Sequence, residues 1–331
     1  MKNNYNFIAI GDTTTDAFIN LKEGGAAHLD IDKGAKELCL RFADKIPYEE
    51  VYVIPAVGNA ANASVAAARL GLKSALVSNI GDDYFGKECL NALLAEKVGT
   101  DFVKIHQGIK TNYHYVLWYE DDRTILIKHE HFPYSLPDIN EPRWVYFSSL
   151  GGNSEEFHKT VENYLIAHPN IKLAFQPGTF QIKMGKEKIS GIYKRTEVFI
   201  CNKEETQIIL GTKEEDIKKL MSGLHQLGPK IVVVTDGPAG AYASSGTDAY
   251  FMPPYPDPKP PFERTGAGDA FSSTLAVYLA KGMSLADSLK RAPINSMSVV
   301  QYIGAREGLL SAAQIEDYIK KAPSDYKPKK I

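Results

Sequence analysis

Cysteine is scarce in this chain of 331 residues: Cys39, Cys89 and Cys201 lie far apart and form no metal-ligand spacing. So small and odd a set excludes a disulfide framework and suits free, buried thiols in a reducing compartment. Neither sign of charge is in excess, and the formal charge of -2 gives no general attraction to nucleic acid or to an anionic membrane. The basic tail Lys327, Lys329, Lys330 is short and reads as a solvated terminus. No apolar run approaches membrane-spanning length, and Met1-Lys2-Asn3-Asn4 leads into a strand-like segment without a signal core. The expectation is a cytoplasmic protein with neither nucleic acid nor membrane as partner. Two ligand-binding patterns are missing as well. No Gly-x-Gly-x-x-Gly follows the first strand, and no Gly-x-x-x-x-Gly-Lys-Ser/Thr occurs, which argues against a dinucleotide dehydrogenase and a P-loop phosphotransferase. Zinc-hydrolase spacing is absent too.

Apolar residues make up 44% of the chain, enough for a sizeable core. Phe7 to Ile10 is a buried strand stopping at Gly11-Asp12. Residues 20 to 50, with Gly24-Gly25 and many charges, show no clear period. A short apolar run, Val51 to Pro55, precedes the alanine-rich helix Asn59 to Leu70, which Gly71 stops. Ala75 to Ile80 is a second buried strand, and Tyr84 to Val98 has helical spacing. Tyr113, Tyr115, Leu117 and Tyr119 then alternate, Asp121-Asp122 turns, and Ile125 and Ile127 alternate again: a hairpin with one wet face. From Trp144 onward the rhythm is strand and helix, with strands at 144–147, 172–175, 198–201 and 231–235. Helices are predicted near 155–167, 203–210, 213–226, 267–282, 284–301 and 311–321. Six prolines between 253 and 261 exclude an interior strand or helix there. The pattern predicts one α/β domain over 1–331 with a mostly parallel sheet, interrupted by a small β element over about 17–52 and 109–132. Such a hairpin, beside the carboxyl ends of parallel strands, is placed to act as a lid.

The segment Arg264-Thr265-Gly266-Ala267-Gly268-Asp269 opens a helix. Its glycines let backbone approach a ligand, and the unpaired amides of the first turn suit an anion. Asp269 then stands where a carboxylate reaches a hydroxyl approaching the same phosphate; a plain turn with a capping Asp fits equally well. Asn202-Lys203-Glu204-Glu205 follows a strand and reads as a capping box. Thr235-Asp236-Gly237-Pro238-Ala239-Gly240 ends another strand. Asp12, Thr14 and Asp16, after the first strand, fit a polar turn, and Asn62 can both donate and accept.

Glu263-Arg264-Thr265-Gly266-Ala267-Gly268-Asp269 resembles the Asp-Thr-x-Gly-Ala-Gly-Asp signature of the PfkB family of carbohydrate kinases. Val57-Gly58-Asn59-Ala60-Ala61-Asn62, Gly11 to Asp16, Asn202 to Glu205, Thr235 to Gly240 and Val300-Gln301-Tyr302-Ile303-Gly304-Ala305 resemble further family segments in the family's order. The resemblance implies a ribokinase-like three-layer α/β/α fold with a mostly parallel sheet and a small β lid. It implies Asp269 as catalytic base with Gly266, Ala267 and Gly268 as anion hole, and Asp12, Thr14, Asp16, Gly58, Asn59 and Asn62 at the sugar. Asn202, Thr235, Gly237, Gly240, Thr265 and Gly304 fall to the nucleotide, and Glu205 with Asn202 to Mg²⁺, through water. ATP is the implied donor. Glu263 replaces an Asp that helps bind a monovalent cation in ribokinase-like members, so potassium activation is left open. An asparagine seen beside the adenine in some members has no clear counterpart; Pro293 falls near that place, with Asn295 two residues on.

The expected activity is phosphorylation of a primary alcohol on a small sugar, ribose or fructose in kind, with a nucleoside kinase second and a catalytically silent sugar- or nucleotide-binding relative third. Phe180 and the tyrosines of 113–119 would suit a nucleobase, although core packing explains aromatics as well. Two lids pairing into a homodimer is a further implication of the resemblance.

Overall fold

Alternation along the strand Phe7–Ile10 sets the layering of the molecule. Phe7 and Ala9 enter one hydrophobic cluster, with Ala60, Ala63, Leu275 and Ile294. Ile8 and Ile10 enter another, with Val161, Leu165, Tyr193 and Leu224. In this computed structural model, which describes residues 4–21, 27–32, 35–120 and 122–331, the two clusters lie on opposite faces of a ten-stranded sheet. Helices cover both faces, giving three layers.

Across the sheet the strands run Lys329–Lys330, Ala249–Met252, Ala241–Ser244, Ile231–Thr235, Thr196–Asn202, Lys172–Phe175, Trp144–Phe147, Phe7–Ile10, Ser74–Gly81 and Val103–His106. From Ile231–Thr235 to Val103–His106 every pairing is parallel. The three strands at the other edge pair antiparallel. Phe7–Ile10 sits where the chain turns from building one side of the sheet to the other, and a crevice opens at the carboxyl ends of strands at such a point. Among the described residues no helix is long and apolar enough to cross a membrane.

A separate four-stranded sheet stands over those carboxyl ends, in the order Tyr48–Val57, Thr14–Leu21, Tyr113–Tyr119, Asp122–Leu126. Ala27–Asp32 and Ala35–Leu40 pair antiparallel as a two-stranded sheet of their own. Much of the patternless stretch 20–50 is therefore strand. Its period was hidden because the outward face of the small sheet is also apolar, with Val51 and Val53 about half exposed. Gly24, Gly25 and Asp121 lie outside the described residues. The hairpin face marked by Tyr113, Tyr115, Leu117 and Tyr119 is this outward one. The inward face carries His114, Val116 and Trp118, because Asp16 and Phe18 on the neighbouring strand pair with His114 and Val116.

Asp83 ties this sheet's root to the main body. Its carboxylate caps the helix Tyr84–Ala95 by accepting from the Gly86 amide (2.9 Å), and it accepts from the hydroxyl (2.6 Å) and amide (3.1 Å) of Thr111, just before Tyr113–Tyr119. Burial opposes the charge on Asp83, but the Thr111 and Gly86 hydrogen bonds outweigh it and hold its carboxyl below the usual range. A lowered pKa contributes stability above the ordinary carboxylate value and loses it as pH falls through the folded one. Asp83→Ala should therefore cost about 1–2 kcal/mol at neutral pH. In urea titrations the gap to the parent should close as pH drops well below about 4.

Candidate active site

Gly266 caps the helix Ala267–Ala280 in the left-handed conformation, φ 83°, and a Cβ there would meet the Ala305 Cβ at 2.3 Å. Only glycine fits. Gly268 differs: a Cβ built on it meets nothing within 4 Å. Its lack of a side chain leaves space rather than satisfying a fold constraint. The first-turn amides of a helix lack intrahelical partners and carry the positive end of its dipole; here the Ala267 amide faces the Arg264 carbonyl oxygen at 3.5 Å.

Asp269 follows in the same turn. Its Oδ2 accepts from Asn62 Nδ2 (2.8 Å) and its Oδ1 from Gln176 Nε2 (3.0 Å). Enclosure by protein pushes its carboxyl pKa up; the Asn62 and Gln176 donors act against that, the charge of Asp16 adds to it, and Arg123 again opposes it. A base with a raised pKa and a fixed orientation is suited to taking a proton from an alcohol.

A cavity of about 390 Å³ opens in front of Asp269, and Asp12, Thr14, Asp16, Gly58, Asn59 and Asn62 all line it, as do Asn202, Glu205, Thr235 and Thr265. Asp12 is anchored through Oδ2 by the Gly151 amide (2.8 Å) and the Tyr134 hydroxyl (2.7 Å), with His129 Nδ1 at 3.3 Å. Its Oδ1 and Asn62 Oδ1 are buried without a hydrogen-bond partner among the described residues. Gly58, at φ 105°, brings the start of helix Asn59–Arg69 against Asp12, whose carbonyl oxygen would be 2.9 Å from a Cβ there. Val57 ends the strand Tyr48–Val57, and its carbonyl accepts from the Thr13 hydroxyl at 3.1 Å.

The sequence does not single out Gln176, His114, Arg123 and His129, which also line the cavity, and it marks Ile125 and Ile127 only as hairpin residues. Gln176 closes the strand Lys172–Phe175 and has no local pattern to mark it. The others come from the small sheet and the segment leaving it. Their signal was the alternation opposite to the tyrosines. Phe180 also lines the cavity, edge-on to His129 at 5.3 Å between ring centres.

A second cavity, of about 470 Å³, adjoins the first and shares Thr235, Arg264 and Gly268 with it. Gly237 and Gly240 line it, with Pro238, Met252, Tyr255, Phe271, Pro293 and Met297 as a mainly apolar wall. A Cβ at Gly240 would meet the Met252 carbonyl oxygen at 2.6 Å. The proline-rich segment contributes Pro254, Pro256 and Pro261. Asn295 lies elsewhere: it is fully buried, donating to Thr274 Oγ1 and accepting from the Leu310 amide, both at 2.8 Å.

Gly304 borders neither cavity. Its amide faces Glu263 Oε2 at 3.4 Å, and a Cβ on it would strike Ile54 Cδ1 at 2.5 Å, so its place is to pack the loop beneath the small sheet. Thr265 donates its amide (2.7 Å) and its hydroxyl to Glu263, which is fully buried, with Arg123 Nε 3.9 Å away. Asn202 and Glu205 form the capping box, Asn202 Oδ1 accepting from the Glu205 amide (2.7 Å) and Glu205 Oε2 from the Asn202 amide (2.9 Å). Burial and the charges of Asp269 and Glu204 push the Glu205 carboxyl up, against the Asn202 hydrogen bond.

Residues 35–312 match the model of the pfkB family carbohydrate kinases. The chain belongs to this family. As a member it is a kinase, a phosphotransferase acting on a small-molecule alcohol. It is similar to the ribokinase of Bacillus subtilis strain 168, at 27% identity over 268 residues that span 79% of this chain and 87% of the ribokinase. In fold it resembles the Arabidopsis thaliana ribokinase complexed with ribose and ATP (TM-score 0.78, 18% identity, 96% of this chain and 99% of that one). It also resembles the Methanocaldococcus jannaschii nucleoside kinase (TM-score 0.75, 17% identity, 96% and 100%). The ribokinase fold expected from the sequence is thus the fold found.

Proposed function

We propose that this kinase transfers the γ-phosphoryl group of ATP to a primary alcohol of a small sugar, ribose- or fructose-like, with Asp269 as general base. The observation that carries this reading is the junction of two cavities at the start of helix Ala267–Ala280, with Asp269 on the polar side and an apolar slot on the other. A purine ring suits the slot; vicinal hydroxyls suit the unpaired Oδ1 atoms of Asp12 and Asn62. The alcohol O–H gives its proton to Asp269 as the oxygen attacks phosphorus and the bond to the leaving ADP oxygen breaks. The amides of Gly266, Ala267 and Gly268 take up charge on the transferred group.

The Glu205 carboxylate, crowded by burial and by Asp269, fits a divalent cation nearby. Among the described residues no cluster of three metal-ligating side chains exists, which suits Mg²⁺ held mainly by water and phosphates, with Asn202 and Glu205 behind the waters. Mg²⁺ would neutralise phosphate charge there. Glu263, taken up by Thr265 and Gly304, supports turnover that does not require potassium.

The small sheet is the lid: Arg123, Ile125, Ile127, His114 and His129 roof the polar cavity and would exclude water on closure. Its outward face, with Val51, Val53, Tyr115 and Leu126 each about half exposed, supports a homodimer formed lid to lid. Phe180 against His129 favours a nucleoside as the second reading, since a flat base would stack there. Retention of a clamped Asp269 speaks against a silent binder. A coupled ADP-release screen over pentoses, hexoses and nucleosides decides. Turnover with sugars upholds the first reading, turnover confined to nucleosides the second, and none with any acceptor removes both.

A further inference from the structure

The general base stands at the end of a chain of donors that runs in one direction. Asp269, ionised, can only accept, so the amide nitrogen of Gln176 must face it and the amide oxygen must face away. That oxygen is met by the hydroxyl of Tyr146. Tyr146 is fully buried on the adjacent strand Trp144–Phe147, and the Ser272 hydroxyl donates to it in turn. Burial and the nearby charge of Asp269 hold the phenol pKa well above its usual value, so Tyr146 remains a donor throughout the working range. The two contacts fix which way the Gln176 amide faces: a flipped amide would set its oxygen against the carboxylate and its NH₂ against a donor.

On the reading that Asp269 is the base, we infer that Tyr146 and Gln176 are positioning residues which fix the orientation and ionised state of Asp269. Neither needs to touch the reacting atoms. Asn62 alone cannot replace them, because it reaches only the other oxygen, Oδ2. Without the Tyr146 hydroxyl the Gln176 amide is free to turn, and its oxygen then favours a protonated Asp269 as its donor. A protonated base is inactive.

The experiment is the pH dependence of kcat/KM for Tyr146→Phe and Gln176→Leu, measured on the full chain with its best acceptor. The acidic limb reports the free enzyme's base. Removing a donor from a carboxylate raises its pKa, so the limb should move to higher pH, by about one unit given a charge-assisted hydrogen bond. At pH above the shifted limb, activity should largely recover. Asp16, Arg123 and Glu205 also act on Asp269 or are acted on by it, from three other elements, and all remain unchanged in both variants. Ser272→Ala, one step further out, should shift the limb less and in the same direction. Should the buried Tyr146→Phe fail to fold, Gln176→Leu at the cavity wall carries the test. A loss uniform across pH, or none, overturns the positioning role. Near-normal turnover in Asp269→Asn would instead remove the reading on which it rests.

Discussion

Asp269→Asn should bind ATP as the parent does and lose about a hundredfold to ten-thousandfold in turnover, the usual cost of a missing general base. Both partners of this carboxylate are amide donors. An asparagine amide would therefore meet one of them donor to donor. The structure has a ready remedy. Asn62 Oδ1 is buried without a partner among the described residues, so rotation of the Asn62 amide turns the conflict into a hydrogen bond. The substitution also removes a charge whose burial is unfavourable. The melting temperature should accordingly not fall, and since Asp269 does not line the apolar slot, nucleotide affinity should hold. Calorimetric titration with ATP beside single-turnover kinetics separates the two effects. An Asn variant that turns over near the parent rate would leave Asp269 without the role of base.

What the sequence makes legible is the part of the site governed by backbone. Gly266, Gly58 and Gly240 sit where a Cβ would collide with a neighbour, and such positions show as glycines beside strand ends whatever the ligand. Asp12, Asp16, Asn62 and Asp269 stand next to these turns and inherit their visibility. Gly304 carries the same mark where it packs against Ile54, outside the lining of both cavities. Residues brought in by tertiary contact leave no such trace. Gln176 meets Asp269 across 93 positions and Tyr146 across 30, and nothing local distinguishes it from any strand-end glutamine. The small sheet misled for a related reason. Alternation reveals two faces but not which is inward, and both faces here carry large apolar residues, Tyr115 and Leu126 outward against Val116 and Trp118 inward. The pairing of Tyr113–Tyr119 with Thr14–Leu21, about a hundred residues earlier in the chain, decides between them.

Gly266→Ala and Gly268→Ala should separate folding from chemistry at two positions only two residues apart. At Gly266 the left-handed φ costs a side-chain-bearing residue about 1–3 kcal/mol. The Ala305 contact at 2.3 Å adds overpacking of about 1–3 kcal/mol more. Both stability and activity should fall. At Gly268 the backbone is helical and the space open, so alanine should hold the melting temperature or raise it slightly, as replacing a helical glycine does. Its methyl group nevertheless stands between the two cavities, where the proposed mechanism passes the phosphoryl group. A loss in kcat/KM of about a hundredfold or more is expected, comparable to losing one donor of an oxyanion hole. Thermal melts and steady-state kinetics on the pair are sufficient. A Gly268→Ala enzyme with full activity would mean that no phosphoryl group approaches this turn. Loss of activity at unchanged stability would place the transfer at the helix start itself, since nothing else in the described structure occupies the space that the methyl group would take.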